Sequence, residues 1–286
     1  MIRPFSYLLV PVFFIYLLFL ACSSPSIEPG QNEAKSAEHY LLGIEFAQYS
    51  LYQNSLDEFD LAIKYDPGNW KAYNKKGLIY FGIKNYTQAK EMFLKAKALN
   101  TKNPQILVNL GMVDYMEGNK DGSLAYWEKS ISLIPEDDDS KAYNNIGNLY
   151  KERGDLKKSV EYYEKAVNKN KSALYINNLA EAYRLSGQIE RAEKMLKASI
   201  QERPKSLLAQ YNLAKVYVEQ NKLDQALKAF AKSLEVNPNF LDPYYESAQI
   251  YLKKNDKDSA VSQLEKAIKE GADEPKFKDL LKKITA

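Results

Sequence analysis

A pattern of residues that returns about every 34 positions constrains this chain more than any other feature. It runs from Ser36 almost to the C-terminus. Each copy has a small residue followed three places later by an aromatic one, then a Gly or Asn turn, then Ala-x-x-x-aromatic-x-x-Ala. A period of this length is typical of one helical hairpin stacked many times, which builds a binding surface rather than a catalytic cleft.

The spacing within each copy predicts how its two helices pack. We number each copy so that the small residue of the first helix is position 8. Positions 7, 8 and 11 then share one helical stripe, as do positions 20, 24 and 27. Small residues at positions 8, 20 and 27 allow close approach, and large residues at position 24 fill the space. Position 8 is Gly43, Gly77, Gly111, Gly147, Ala180, Ala214 and Ala248; position 24 is Phe59, Phe93, Trp127, Tyr163, Leu196, Phe230 and Leu264.

This pattern resembles the tetratricopeptide repeat family. The resemblance implies an all-α fold, a right-handed superhelical solenoid of seven helix-turn-helix hairpins. The tail 275–286 has apolar residues at helical spacing and lysines between them, which predicts a capping helix over the last hairpin. The predicted repeats are 36–69, 70–103, 104–137, 140–172, 173–206, 207–240 and 241–274.

The first 35 residues predict export and a lipid anchor. Residues 1–21 contain one arginine and then an uncharged, largely apolar run that is short for a membrane span. Phe19–Cys22 resembles the lipobox of bacterial lipoproteins, in which a signal peptide is cut before a cysteine that receives acyl chains. An uncleaved single-pass anchor is the alternative. Residues 22–35 then read as the lipidated Cys22 and a flexible linker.

Composition argues against catalysis and against nucleic-acid binding. His39 is the only histidine and Cys22 the only cysteine, so histidine acid–base chemistry, cysteine metal clusters and an internal disulfide are not expected. The net charge of +3 and the interspersed Lys and Glu show no basic stripe. We expect no cofactor and no metal, and we interpret the acidic run 136–139 as a solvated loop rather than a calcium site.

The family resemblance places a binding surface on the inner face of the first helices. Position 6 on that face is asparagine in four successive repeats, which looks like the asparagine ladder of some peptide-binding members. An amide both donates and accepts, so it can pair with a peptide backbone of any sequence. Simple abundance of asparagine at this position is the alternative. The four residues are Asn109, Asn145, Asn178 and Asn212.

The first three repeats are expected to carry an apolar strip on the same face, whereas the later repeats read as polar. Exposed apolar surface of this extent marks a partner site. Tight curvature or the chain's own linker could cover it instead. One residue of the third repeat departs from the pattern, because Asp114 stands where an aromatic is usual; it is either paired, for example with Lys120, or turned outward. The strip comprises Tyr40, Ile44, Leu78, Phe81, Val108, Met112, Tyr115 and Met116.

These features together predict a non-catalytic, lipid-anchored scaffold in a bacterial cell envelope. It would bind a peptide segment or helix of a partner protein, with the outer membrane facing the periplasm as its expected location. The resemblance is to repeat lipoproteins that support assembly of envelope complexes. A surface-exposed lipoprotein that binds host or extracellular ligands is the alternative.

Overall fold

The computed structural model describes residues 29–133 and 139–285, and every regular element within them is an α-helix. The predicted all-α fold class is therefore confirmed. The signal peptide, Cys22 and the acidic residues 136–138 lie outside the described residues. None of the described helices combines the length and the apolar character that crossing a bilayer requires.

The chain divides into two compact units, and the first ends at Thr101. It consists of two helical hairpins. Helix α1 (Pro29–Gln48) packs on α2 (Tyr52–Tyr65), and α3 (Trp70–Gly82) packs on α4 (Tyr86–Leu99), with α2 also against α3.

The second unit begins at Lys102 and holds five further hairpins and a terminal helix. Each first helix packs on the second helix of its own hairpin, and that second helix packs on the next hairpin. The helices are α5 (Pro104–Met116), α6 (Lys120–Leu133), α7 (Ser140–Glu152), α8 (Leu156–Lys169), α9 (Ala173–Leu185), α10 (Ile189–Glu202), α11 (Leu207–Glu219), α12 (Leu223–Val236), α13 (Asp242–Lys253), α14 (Lys257–Lys269) and α15 (Pro275–Thr285).

Helix α1 begins earlier than the repeat pattern predicts. Residues 29–35 were expected to belong to a flexible linker, but they form the first turns of α1. Proline is well tolerated at the first helical position because its missing N–H would have no intrahelical partner there. Residues 30–35 contain no proline that would interrupt the helix.

One backbone position turns the chain within every hairpin. Position 15 has a positive φ in all seven copies, between 58° and 84°. Glycine reaches this left-handed region without strain, and asparagine reaches it more easily than other residues. Three copies have glycine and two have asparagine, which explains the Gly or Asn turn in the sequence pattern. The residues are Ser50, Lys84, Gly118, Gly154, Gly187, Asn221 and Asn255.

The core of each hairpin is the contact between position 8 and position 24. The position 24 side chains are almost fully buried, from 0% to 2% exposed. In the first four hairpins position 8 is glycine, and a β-carbon there would overlap the aromatic ring opposite. The three later hairpins have alanine at position 8, and its partner at position 24 is leucine in two of them and Phe230 in the third. The small residues at position 8 therefore allow the close approach of the two helices that the sequence pattern predicts.

Helix α15 closes the second unit, as predicted for a capping helix. Phe277 is fully buried in a cluster with Leu264 and Ala267 of the last hairpin. Its ring meets Tyr245 edge-on at 5.5 Å between centroids, and Lys276 pairs with Asp242 at 2.9 Å. The cap thus covers apolar surface of the last hairpin and turns several lysines outward.

Candidate functional site

The inner-face asparagines all lie in the second unit, one in each of α5, α7, α9 and α11, and they differ in accessibility. Asn109 is buried, 3% exposed, and accepts a hydrogen bond from Gln105 at 3.0 Å. Asn145, Asn178 and Asn212 are half-buried. Asn109 is therefore a packing residue, and three amides of the predicted ladder remain open to a ligand.

The three accessible amides keep hydrogen-bonding capacity. Asn178 donates to Asn144 Oδ1 at 2.8 Å, which leaves its own carbonyl oxygen as an acceptor. Asn145 and Asn212 make no side-chain hydrogen bond to any described residue. A polar group that is half-exposed and unpaired within the protein can pair with a ligand at little desolvation cost.

The apolar strip is not continuous on either unit. In the first unit, Tyr40 and Ile44 pack against the cluster around Phe59, and only Leu78 is clearly exposed, at 38%. Phe81 is half-buried beside Tyr86. These side chains mainly complete the cores of their own hairpins, because each core needs large residues beside the position 24 ring.

The strip residues of the second unit also pack mainly into the core of their hairpin. Val108 is buried, 5% exposed, so its expected place on an accessible strip is wrong; it belongs to the cluster around Trp127. Met112 and Tyr115 pack against that cluster. Met116, at the end of α5, is half exposed. Val108 fails as a binding residue because it packs in one cluster with Ala142 and Ile146 of the next hairpin.

The later repeats were expected to be polar on this face, but they also expose leucines there. Leu174 on α9 is 54% exposed and Leu208 on α11 is 45% exposed. They precede Asn178 and Asn212 by four residues and so share a helical face with them. Leu185 is a third exposed leucine on the α9 face, at 42%. The sequence pattern does not mark Leu174 and Leu208, because the equivalent residues of earlier copies, Lys71, Gln105 and Lys141, are polar.

Several charged residues of this face are paired from one repeat to the next. Glu152 on α7 receives hydrogen bonds from Tyr115 at 2.6 Å and from Lys120. Lys151 pairs with Glu181 at 2.7 Å. Arg184 and Glu219 form the next pair, between α9 and α11. Complementary charges in successive copies were the sequence signal for these pairs.

The pairing changes the proton affinities of the groups involved. The hydrogen bond from Tyr115 to Glu152 raises the pKa of Tyr115 to about 12. The hydrogen bonds from Lys120 and Tyr115 lower the pKa of Glu152. Both shifts favour the neutral phenol and the charged carboxylate, so the ties between repeats are intact at neutral pH.

Two residues singled out by the sequence have structural partners. His39 contacts Glu58 at 2.7 Å and stacks on Tyr65 with ring centroids 5.4 Å apart. Asp114 is buried and accepts from Asn119 at 3.0 Å, whereas Lys120 pairs with Glu152. The described residues contain no cluster of His, Cys, Asp and Glu arranged to hold a metal ion.

The accessible part of the face therefore consists of amides and leucines with paired charges around them. We call Asn145, Asn178, Asn212, Leu174 and Leu208 the inner-face site. Such a surface suits an extended or helical polypeptide, because the amides can bond to backbone groups and the leucines can contact apolar side chains.

Family models of the tetratricopeptide repeat match residues 71–103 and 140–172, and two overlapping matches cover 184–245 and 217–284. Together these spans cover more than half of the chain. Tetratricopeptide repeat protein 6 of Homo sapiens is 25% identical over 136 residues, which are 48% of this chain and 26% of that protein. The chain spans less than a third of the length of the curated relatives it matches.

Solved structures with the same fold include members of assemblies and a peptide binder. The APC/C hetero-tetramer Cut9-Hcn1 aligns with a TM-score of 0.66 and 16% identity, over 89% of this chain and 47% of that one. YrrB, described as a TPR protein with an unusual peptide-binding site, aligns with a TM-score of 0.51 and 22% identity, over 66% of this chain and 97% of that one. At these identities the likeness concerns the fold.

Proposed function

We propose that this chain, which belongs to the tetratricopeptide repeat family, is a non-catalytic scaffold that binds a polypeptide segment of a partner protein at its inner-face site. The partner is a protein of a bacterial cell envelope, and the chain is held at the membrane through lipid on Cys22. Binding there would support assembly of an envelope complex, with the chain on the outer membrane and facing the periplasm.

The observation that carries the binding proposal is the contrast between charges and amides on α7, α9 and α11. The Lys151–Glu181 and Arg184–Glu219 pairs tie successive repeats together. The side chains of Asn145 and Asn212, in contrast, have no hydrogen-bond partner among the described residues. A net hydrogen bond contributes about 1 kcal/mol, so three amides fall short of the ~8 kcal/mol of a micromolar complex. The exposed leucines add apolar contact, and because they are already about half buried, each adds up to about half of the 1.5–3 kcal/mol that burial of a fully exposed leucine contributes.

The comparisons support the protein-binding part of the proposal. Similar folds occur in a multi-subunit assembly and in a protein with a peptide-binding site, and both uses are protein interactions. The envelope location and the anchor rest on the lipobox-like Phe19–Cys22 alone. Two or more acyl chains give stable membrane attachment, where one chain is marginal.

Affinity capture from native envelope extract tests the binding proposal. The full-length chain is compared with an amide variant, Asn145→Ala/Asn178→Ala/Asn212→Ala, and a leucine variant, Leu174→Ser/Leu208→Ser. Leu94→Ser/Leu99→Ser is the matched control, since both residues are exposed leucines of α4. A partner held by wild type and by the control, but lost from either inner-face variant, supports the proposal. Equal capture by all four proteins refutes it.

A separate experiment tests the anchor and decides between the two locations. Cys22→Ser should abolish incorporation of labelled palmitate and release the protein from the membrane fraction. Protease treatment of intact cells should leave the wild-type chain uncut if it faces the periplasm. Digestion in intact cells would instead favour the surface-exposed lipoprotein, and unchanged membrane attachment of Cys22→Ser would favour the uncleaved anchor.

A further inference from the structure

A second candidate site lies away from the inner-face site, between the second helices of two neighbouring hairpins. A cleft of about 470 Å³ is lined by residues of α8, the α8–α9 loop, α9 and α10. Its floor is formed by the buried Tyr183 and Ser199, and its walls by the half-buried Val167, Ile176 and Met195. The volume lies in the range of roughly 300–1,000 Å³ that is typical of ligand pockets.

The rim of this cleft carries an excess of positive charge. Lys171 and Lys194 are exposed, and no described residue forms an ion pair or hydrogen bond with either ammonium group. Arg191 already has partners within the protein, because it pairs with Glu164 at 2.8 Å and lies 4.2 Å from the centroid of the Tyr183 ring. Glu202 is the one acidic residue of the lining. Two free cations therefore face an apolar cleft.

The corresponding cleft two hairpins later shows that these features are local. It has a volume of about 360 Å³ and lies between α12, α13 and α14. Gln263 and Lys266 stand there where the first cleft has Met195 and Ala198, and Pro238 stands in place of Lys171. The repeat architecture alone thus creates a cleft with apolar residues at this junction, since Leu234 and Tyr244 line the later cleft too. Met195 on the α10 wall and Lys171 on the loop are particular to the first cleft.

We propose that the cleft between α8 and α10 docks a segment of a partner protein that inserts bulky apolar side chains and places acidic side chains beside Lys171 and Lys194. Charge complementarity identifies the occupant as acidic, and the apolar walls require large side chains at its centre. An acyl chain fits less well. The exposed Ala198 and Lys194 leave one side open, so a lipid tail there would stay in contact with water.

This site is separate from the inner-face site, so the protein could hold two segments at once. The two surfaces use different elements: the inner-face site lies on α7, α9 and α11, and the cleft uses the second helices α8 and α10 with the opposite part of α9. Failure of one proposal leaves the other standing, because their variants share no residue.

A random 16-residue peptide display library is the probe. Peptides are selected on the full-length chain, and those that also bind Met195→Gln/Ala198→Lys are removed. This variant imports the two residues found at the same positions in the α12–α14 cleft, so the fold already accommodates them. Gln263→Met/Lys266→Ala is the matched control at the other cleft. Selected peptides are then synthesised, and their dissociation constants are measured by fluorescence polarisation.

We expect selected peptides to combine bulky apolar residues with an excess of Asp and Glu. They should bind Met195→Gln/Ala198→Lys and Lys171→Glu/Lys194→Glu at least tenfold more weakly than wild type. The control should bind them as wild type does, and raised salt should weaken the interaction. Peptides without an acidic excess, or equal binding by Lys171→Glu/Lys194→Glu, would overturn the proposal. So would a wild-type dimer in sedimentation that Met195→Gln/Ala198→Lys dissociates, since the occupant would then be a second copy.

Discussion

Gly147 lies against the ring of Tyr163, so closely that a β-carbon on Gly147 would come within 2.7 Å of two ring carbons. The ring is fully buried, and its hydroxyl donates to Asn148 Oδ1 at 2.5 Å. Ser159 on the same second helix donates to the Gly147 carbonyl oxygen at 2.9 Å. Gly147 therefore sets the distance between the two helices of this hairpin, and the Tyr163 hydroxyl fixes the neighbouring Asn148.

This close approach predicts that Gly147→Ala destabilises the protein by about 1–3 kcal/mol, the usual effect of overpacking a core. Gly82→Ala is the control, because a β-carbon on Gly82, the last residue of α3, meets nothing within 4 Å. The control should be neutral or slightly stabilising. Urea unfolding followed by circular dichroism measures both. Equal effects of the two substitutions would show that the ring can move aside.

The turn position gives a second prediction. Lys84 has a φ of 63°, in the region where a β-carbon is strained. Lys84→Gly should therefore raise the free energy of unfolding by about 1 kcal/mol, and Gly154→Ala, with a φ of 78° at the same place in its hairpin, should lower it by a similar amount. Opposite shifts of the urea midpoint are expected. Shifts of the same sign would contradict this account of the turn.

Alkaline pH should weaken the tie between Tyr115 and Glu152. Folding raises the pKa of Tyr115 to about 12, so the folded state holds this proton more tightly than the unfolded state does. The stabilisation is complete below the unfolded pKa, about 10, and is lost as pH rises toward 12. Tyr115→Phe lacks this contribution. Its free energy of unfolding should fall less steeply than that of wild type between those pH values, and parallel curves would contradict the assignment.

Asn177 predicts a stabilising substitution. Its side-chain oxygen is buried and has no hydrogen-bond partner among the described residues. An unsatisfied buried polar group costs about 1–3 kcal/mol, so Asn177→Leu should increase the free energy of unfolding by about that amount. Asn144→Leu is the comparison, because Asn144 accepts from Asn178 and its replacement removes a bond. Loss of stability in Asn177→Leu would mean that the amide is satisfied in solution.

The repeat framework was predictable from the sequence because each contact in it recurs. Seven copies of the spacing between positions 8 and 24 indicate hairpins, their turns and their cores, and the alternation of apolar residues and lysines in 275–286 indicates the cap. The start of α1 was not predictable in this way, since residues 29–35 precede the first copy and have no counterpart to compare.

The candidate site was less predictable because exposure depends on how neighbouring hairpins overlap. Val108 and Asn109 look like surface residues in the repeat numbering, yet they are 5% and 3% exposed. Leu174 and Leu208 occupy a position that the pattern leaves variable. Lys76 is a charged residue at a position where the pattern predicts a core side chain. It is buried there and pairs with Asp60. The two partners of such a pair lie in different copies of the repeat, so comparing one position between copies does not reveal the pair.

The most direct test of the account is photo-crosslinking in cells from the inner-face site. A benzoylphenylalanine residue replaces Leu174 or Leu208 in the full-length chain, and Leu94 serves as the control position on α4. We predict a discrete adduct with one envelope protein from the first two positions, which disappears when Asn145, Asn178 and Asn212 are changed to alanine. No adduct from Leu174 or Leu208, or an adduct that forms equally from Leu94, would contradict a polypeptide-binding role for this face. An adduct that survives the amide substitutions would contradict the role of the three amides.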